Sequence, residues 1–136
     1  MSLANNLKTV QLRIHSAAVK AGRDPASVRL VAVSKTKPAV AVDEAARSGQ
    51  RLFGENYVQE LVAKAREVTE PVEWHFIGHL QSNKVRQLAG LVTMIHSVDR
   101  LSLAEEIDRQ WGKLGRECSV LIEVNIACEE SKCASS

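Results

Sequence analysis

The chain has 136 residues, 45% apolar and 25% charged, with a formal net charge of +2. That is one domain at most, with an ordinary globular balance; its charge is too near neutral, and its basic residues too scattered, to mark a partner of nucleic acid or of an acidic membrane surface. The opening MSLANNLKTVQL lacks a basic segment leading into an apolar run, and no window approaches the roughly 18 apolar residues of a membrane span. Cys118, Cys128 and Cys133 have no C-x-x-C spacing, which argues against a disulfide framework or a zinc site and for a reduced, cytoplasmic setting.

Taken in chain order, Leu3, Leu7, Val10, Ile14, Ala17 and Ala18 recur at spacings of three and four, predicting a helix over 2–21 that Gly22 stops. "VRLVAV" (28–33) predicts a first strand. Pro38 then suits the first turn of a helix that continues through 39–48 to Gly49. "RLFG" (51–54) is a short second strand, followed by a helix over 56–68 with Val58, Leu61, Val62 and Ala65 on one side. "VEWHFIG" (72–78) is a third strand, 82–89 a short helix stopped by Gly90, and "LVTMIHSV" (91–98) a fourth strand. Asp99 is the expected cap of a helix running to about Leu114, with Leu103, Ala104, Ile107, Trp111 and Leu114 facing inward. "SVLIEVNIA" (119–127) is the fifth strand.

Strict alternation of strand and helix with short connections implies parallel strands with helices packed outside. Two architectures fit: a self-contained, flavodoxin-like five-stranded sheet, and the first five of eight strands of a (β/α) barrel. In both, ligands sit at the carboxyl ends of the strands. Here those ends carry Ser34 and Lys35, Glu55 and Asn56, His79, Ser97 or Asp99, and Asn125.

Lys35 follows an apolar strand directly. A lysine there is either solvated or, held in an apolar pocket that disfavours its ammonium, an amine able to attack an aldehyde. Lys37 is two residues on. Because Pro38 biases it toward extended backbone and starts an outer helix, Lys37 is expected at the rim while Lys35 points over the strand ends. Asn56 in "FGENYVQE" can cap the following helix, aim its amide into the pocket, or both. His75 and His79 have H-x3-H spacing on a strand and turn rather than a helix, with no glutamate after the first, so His75 reads as a packed strand residue and no metal site is expected. G-x-G-x-x-G, G-x-x-x-x-G-K-[ST] and G-x-S-x-G are all absent, which disfavours Rossmann cofactors, P-loop nucleotides and a serine-hydrolase elbow.

Together, "VAVSKTKP" (31–38), "FGENYVQE" (53–60) and "WHFIGHLQSNK" (74–84) resemble the pyridoxal phosphate homeostasis protein family, and "HSVDR" (96–100) and "VNIACEESK" (124–132) continue the match in order. The resemblance implies an α/β fold, a parallel (β/α) barrel of the alanine racemase type. This sequence would supply the N-terminal helix and the first five of its eight strands, as one partial-barrel domain over 1–136. It implies that Lys35 forms a Schiff base with pyridoxal 5'-phosphate, that Asn56 lies beside the cofactor, and that Lys132 is a secondary site residue. Lys37 is a secondary site residue on its placement alone, adding at most a nearby positive charge that favours an anionic ligand. The implied role is holding the cofactor for vitamin B6 homeostasis without catalysis, with apo-enzymes that receive it as partners. The alternative is an amino-acid racemase or another lysine Schiff-base enzyme. The family's phosphate-binding loops, late in the barrel, have no counterpart here, and Cys128 and Ala134 stand where glycine is common.

Overall fold

The structure is a computed structural model that describes residues 2–127. Helix α1 spans Leu3–Lys20, and Ser2 Oγ caps it by accepting from Asn5 N at 3.1 Å. There follow β1 (Ala32–Val33), α2 (Ala39–Arg47), β2 (Leu52–Glu55), α3 (Val58–Glu67), β3 (Glu73–Phe76), α4 (Val85–Leu88), β4 (Met94–Val98), α5 (Leu101–Gly112) and β5 (Ser119–Ile122). All neighbouring strands are parallel, in the order β1-β2-β3-β4-β5. This sequential order is not the 2-1-3-4-5 order of a flavodoxin-like sheet. The flavodoxin-like winding is therefore excluded.

Successive helices pack on one another, α1 on α2 through to α4 on α5. Their apolar stripes meet one face of the sheet. Phe53, Trp74, Phe76, Ile95 and Val98 from the strands form the core with Leu61, Leu88, Leu103, Ile107 and Trp111 from the helices. Strand alternation turns Gly54 and His75 to the opposite face, where His75 Nδ1 lies 2.9 Å from His96 Nε2. His75 is thus a packed strand residue.

Several boundaries differ from the sequence expectation for identifiable reasons. The first strand keeps two residues of the expected six. Earlier in that run, the Leu30 carbonyl is satisfied by the buried Gln50 side chain, whose Nε2 donates to it at 2.8 Å and to the Leu52 carbonyl at 2.6 Å. A side-chain amide there takes the place of a strand partner. Arg100, not Asp99, is the N-cap residue of α5, and the Asp99 carboxylate, instead of capping, pairs with Arg100 Nη1 at 2.7 Å. Leu114 lies past the end of α5 and is exposed, whereas the other four expected inward residues of that helix pack against the core. The fifth strand stops at Ile122, and its apolar residues are exposed because it is a sheet edge. No helix among the described residues is long and apolar enough to cross a membrane.

Candidate ligand site at the carboxyl ends of the strands

Val33 of β1 is matched with Gly54 of β2. Lys35 and Asn56 each lie two residues further on, so adjacent strands deliver them to the same end of the sheet. Glu55 is matched with Phe76, which brings the Ile77–His79 segment to the same level. The approach is close at Gly78. A Cβ there would run into the Asn56 carbonyl oxygen and come within 2.8 Å of Asn56 Cα, so only glycine lets the two segments meet.

Lys35 occupies a tight turn. The Lys37 N–H donates to the Ser34 carbonyl at 3.0 Å, and Thr36 has φ 65°. That conformation belongs to glycine or asparagine. In a β-branched residue it costs about 1–3 kcal/mol and persists only where the surroundings impose it. Here they do. The Thr36 N–H donates to Glu60 Oε2 at 2.6 Å, and the buried Lys64 ammonium donates to the Ser34 carbonyl at 2.6 Å, to Glu55 Oε2 at 2.8 Å and to Glu60 Oε2 at 2.9 Å. Ser34 Oγ, also buried, donates to Glu55 Oε2. Two carboxylates, a lysine and a serine thus form one charged network under the turn. Charge-assisted bonds of this kind are short and directional.

Lys35 itself is exposed. The apolar pocket expected around its amine is not formed by the described residues, because the turn carries it beyond the end of β1 and no element lies over it. Lys37 is also exposed, and it lines an outer groove between α2 and α3 with Thr36, Ala39, Glu60 and Glu67, on the rim side that Pro38 implied. Asn56 does not cap α3. Tyr57 is the N-cap residue and makes no side-chain capping bond, while Asn56 Oδ1 is buried without a hydrogen-bond partner. Asn56 shares a cavity of about 290 Å³ with His79, Gln81 and Lys84. Glu55 Oε1 and Ser97 Oγ, at the ends of β2 and β4, are two further buried oxygens without a partner. Lys132 lies outside the described residues, as do Cys128, Cys133 and Ala134.

Lys64, Glu60 and Ser34 were not singled out in the sequence as a unit. A signal was there: Lys64 follows Leu61 by three residues and Glu60 by four, on the inward stripe of α3. Among the described residues no group of three His, Cys, Asp or Glu side chains is arranged for a metal ion. The Cys118 thiol is pushed up to about 11 by burial, which disfavours its reactive thiolate near neutral pH.

No protein-family model matches the chain. It is similar to curated proteins named pyridoxal phosphate homeostasis protein. The relative from Pseudomonas aeruginosa is 48% identical over 132 residues, and that from Escherichia coli K12 is 48% identical over 134 residues. Each match covers 96% of this chain and 57% of the relative, so the chain spans little more than half the length of these proteins. Among solved structures, PipY of Synechococcus elongatus with PLP bound is 44% identical with a TM-score of 0.71, covering 83% of this chain and 54% of that one. A protein of unknown function from Bifidobacterium adolescentis superposes with a TM-score of 0.83 at 37% identity, over 94% of this chain and 56% of that one.

Proposed function

We propose that the chain holds pyridoxal 5'-phosphate for vitamin B6 homeostasis, with Lys35 as the amine that meets the cofactor and Asn56 beside it. The observation that carries this reading is the pairing of Val33 with Gly54, since Lys35 and Asn56 each follow two residues later at the carboxyl ends of the adjacent strands β1 and β2. The structure of PipY with PLP bound, at 44% identity, supports the choice of ligand.

The residues present fit such a group. Pyridoxal phosphate brings an aldehyde that condenses with a primary amine, releasing water, and an anionic phosphate. Lys35 offers the amine on a fixed turn. The buried Asn56 Oδ1, lacking any donor, offers an acceptor for an N–H or O–H of a ligand. Lys37 and Lys84 add positive charge near that end of the sheet, and Lys132 is a further candidate on the sequence resemblance alone. Glu55, Glu60 and Lys64 are engaged by one another, so the titratable groups under the Lys35 turn hold the backbone rather than stand ready to move a substrate proton. This favours holding over turnover, and apo-enzymes that take up the cofactor are the partners such a role requires.

We also read the five strands as consecutive staves of a (β/α)8 barrel. Their sequential parallel order and the superposition on PipY support this. Such a set has two unpaired edges, at β1 and β5, and the isolated chain should self-associate. A monodisperse, cooperatively melting monomer in light scattering and calorimetry would count against the barrel reading.

The function is tested by the visible spectrum of the chain with added pyridoxal phosphate. A band toward the violet edge that is absent in Lys35→Ala is expected. No band in the wild-type chain, or an unchanged band in Lys35→Ala, overturns the assignment. Racemisation or other turnover of amino acids by the loaded protein would overturn the non-catalytic part.

A further inference from the structure

We propose that Glu60 is a positioning residue for Lys35, holding the turn that carries the amine in its strained conformation, with the buried Lys64 holding Glu60 in place. The proposal rests on the reading of Lys35 as the amine that meets pyridoxal phosphate.

Both peptide units that flank Lys35 are fixed from α3. On one side, the Ser34 carbonyl accepts from Lys64 Nζ at 2.6 Å and from the Lys37 N–H at 3.0 Å. On the other, the Thr36 N–H donates to Glu60 Oε2 at 2.6 Å. The same oxygen accepts from Lys64 Nζ at 2.9 Å. The Ser34 N–H is tied to the Gly54 carbonyl of β2 at 3.1 Å. The backbone of the turn is thus held at Ser34, Thr36 and Lys37, while the Lys35 side chain is exposed.

Packing of α3 on the sheet does not require the Glu60 contact. The buried Lys64–Glu55 pair already joins α3 to β2, and Glu60, with a quarter of its side chain exposed, could be solvated at little cost. What the contact does is impose φ 65° on Thr36, a conformation that a β-branched residue does not choose. Without it the Thr36 peptide can rotate, and the Lys35 Cα–Cβ direction rotates with it.

The test compares the wild-type chain with Glu60→Ala and Glu60→Gln, because the glutamine retains an oxygen that can accept from Thr36. The first readout needs no ligand. Amide exchange at Thr36 should accelerate about tenfold or more in Glu60→Ala, well beyond any change at core amides such as Phe76. Glu60→Gln should retain most of the protection. The second readout is the rate at which pyridoxal phosphate and cyanoborohydride label each lysine, resolved by peptide mapping. Labelling of Lys35 should fall about tenfold in Glu60→Ala and recover in Glu60→Gln, since small displacements of a reacting group carry such penalties. Labelling of Lys37 should not move. Unchanged exchange at Thr36, or faster exchange with unchanged Lys35 labelling, overturns the positioning role alone. A wild-type chain unlabelled at Lys35 overturns the cofactor reading and the positioning role with it.

Discussion

Replacing Lys64 by methionine isolates what the buried network contributes. The ammonium makes three bonds, and their losses are unequal. The Ser34 carbonyl keeps the Lys37 N–H, and Glu60 can turn to water through its exposed quarter. Glu55 has neither recourse. It is fully buried, its Oε1 already lacks a partner, and its Oε2 would retain only the Ser34 hydroxyl. Removing one partner of a buried pair costs about 3–5 kcal/mol, because the other charge is left uncompensated. Lys64→Met should therefore lose about 3 kcal/mol or more, a large part of the roughly 5–15 kcal/mol that holds a domain together. In Lys64→Met/Glu55→Gln the stranded charge is gone, and the loss should shrink to about 1–2 kcal/mol, the worth of the neutral hydrogen bonds forfeited. Glu55→Gln alone still leaves Lys64 bonded to Glu60 and Ser34. The cycle should close with a coupling of about 2 kcal/mol, within the range for groups in one network. Urea unfolding followed by circular dichroism measures all four proteins. A Lys64→Met cost below about 1 kcal/mol, or additive single costs, would refute the assignment of Glu55 as a buried carboxylate that depends on Lys64.

Three further outcomes follow from the geometry. Gly78→Ala drives a Cβ into the Asn56 backbone and should cost roughly 3 kcal/mol or more, whereas Gly112→Ala, with nothing within 4 Å of its Cβ at the end of α5, should be neutral or stabilising by up to about 1 kcal/mol; thermal denaturation separates them. The Glu73 carboxyl is held down to about 2 by its hydrogen bonds from Arg29 and then Thr93. Its folded value is depressed, so its contribution is present above the unfolded value and lost as pH falls. Glu73→Gln should cost about 1 kcal/mol at neutral pH, because the pair is partly exposed and screened, and the difference from wild type should fade between about pH 4.5 and pH 2 in pH-resolved denaturation. Cys118, its thiol raised to about 11 by burial, should alkylate about 100-fold more slowly at pH 8 than an unhindered thiol, as read by mass mapping; equal rates would contradict that burial.

What the sequence determined by itself is what local chemistry dictates. The three-and-four spacing of α1 and α5, the glycines at 22, 49 and 90 that take positive φ where helices or turns end, and the strict alternation of apolar strands with amphipathic helices fix the elements and their parallel arrangement. They also deliver Lys35 and Asn56 to strand ends, because a strand that runs apolar into Ser34 and Lys35 can end nowhere else. Pro38 separates Lys37 from Lys35 by the same local logic.

The tertiary structure decided everything that depends on a partner distant in the chain. Strand order is one case, since a five-strand alternation is compatible with more than one winding until the pairing is seen. The shortness of β1 is another: only the Gln50 side chain, 20 residues from Leu30, reveals why the ladder does not continue. Thr36 carries no mark in the sequence of its left-handed backbone, because the force that imposes it comes from Glu60, 24 residues on. Asn56 could cap α3, aim its amide into the pocket, or both; only the folded chain shows that Tyr57 is the N-cap residue and that the Asn56 oxygen is buried without a partner. Lys64 sits on an inward stripe that ordinarily calls for an apolar residue. Its burial is tolerable only because Glu55, Glu60 and the Ser34 carbonyl converge on it from a strand, its own helix and a turn, and that convergence exists only once the chain has folded.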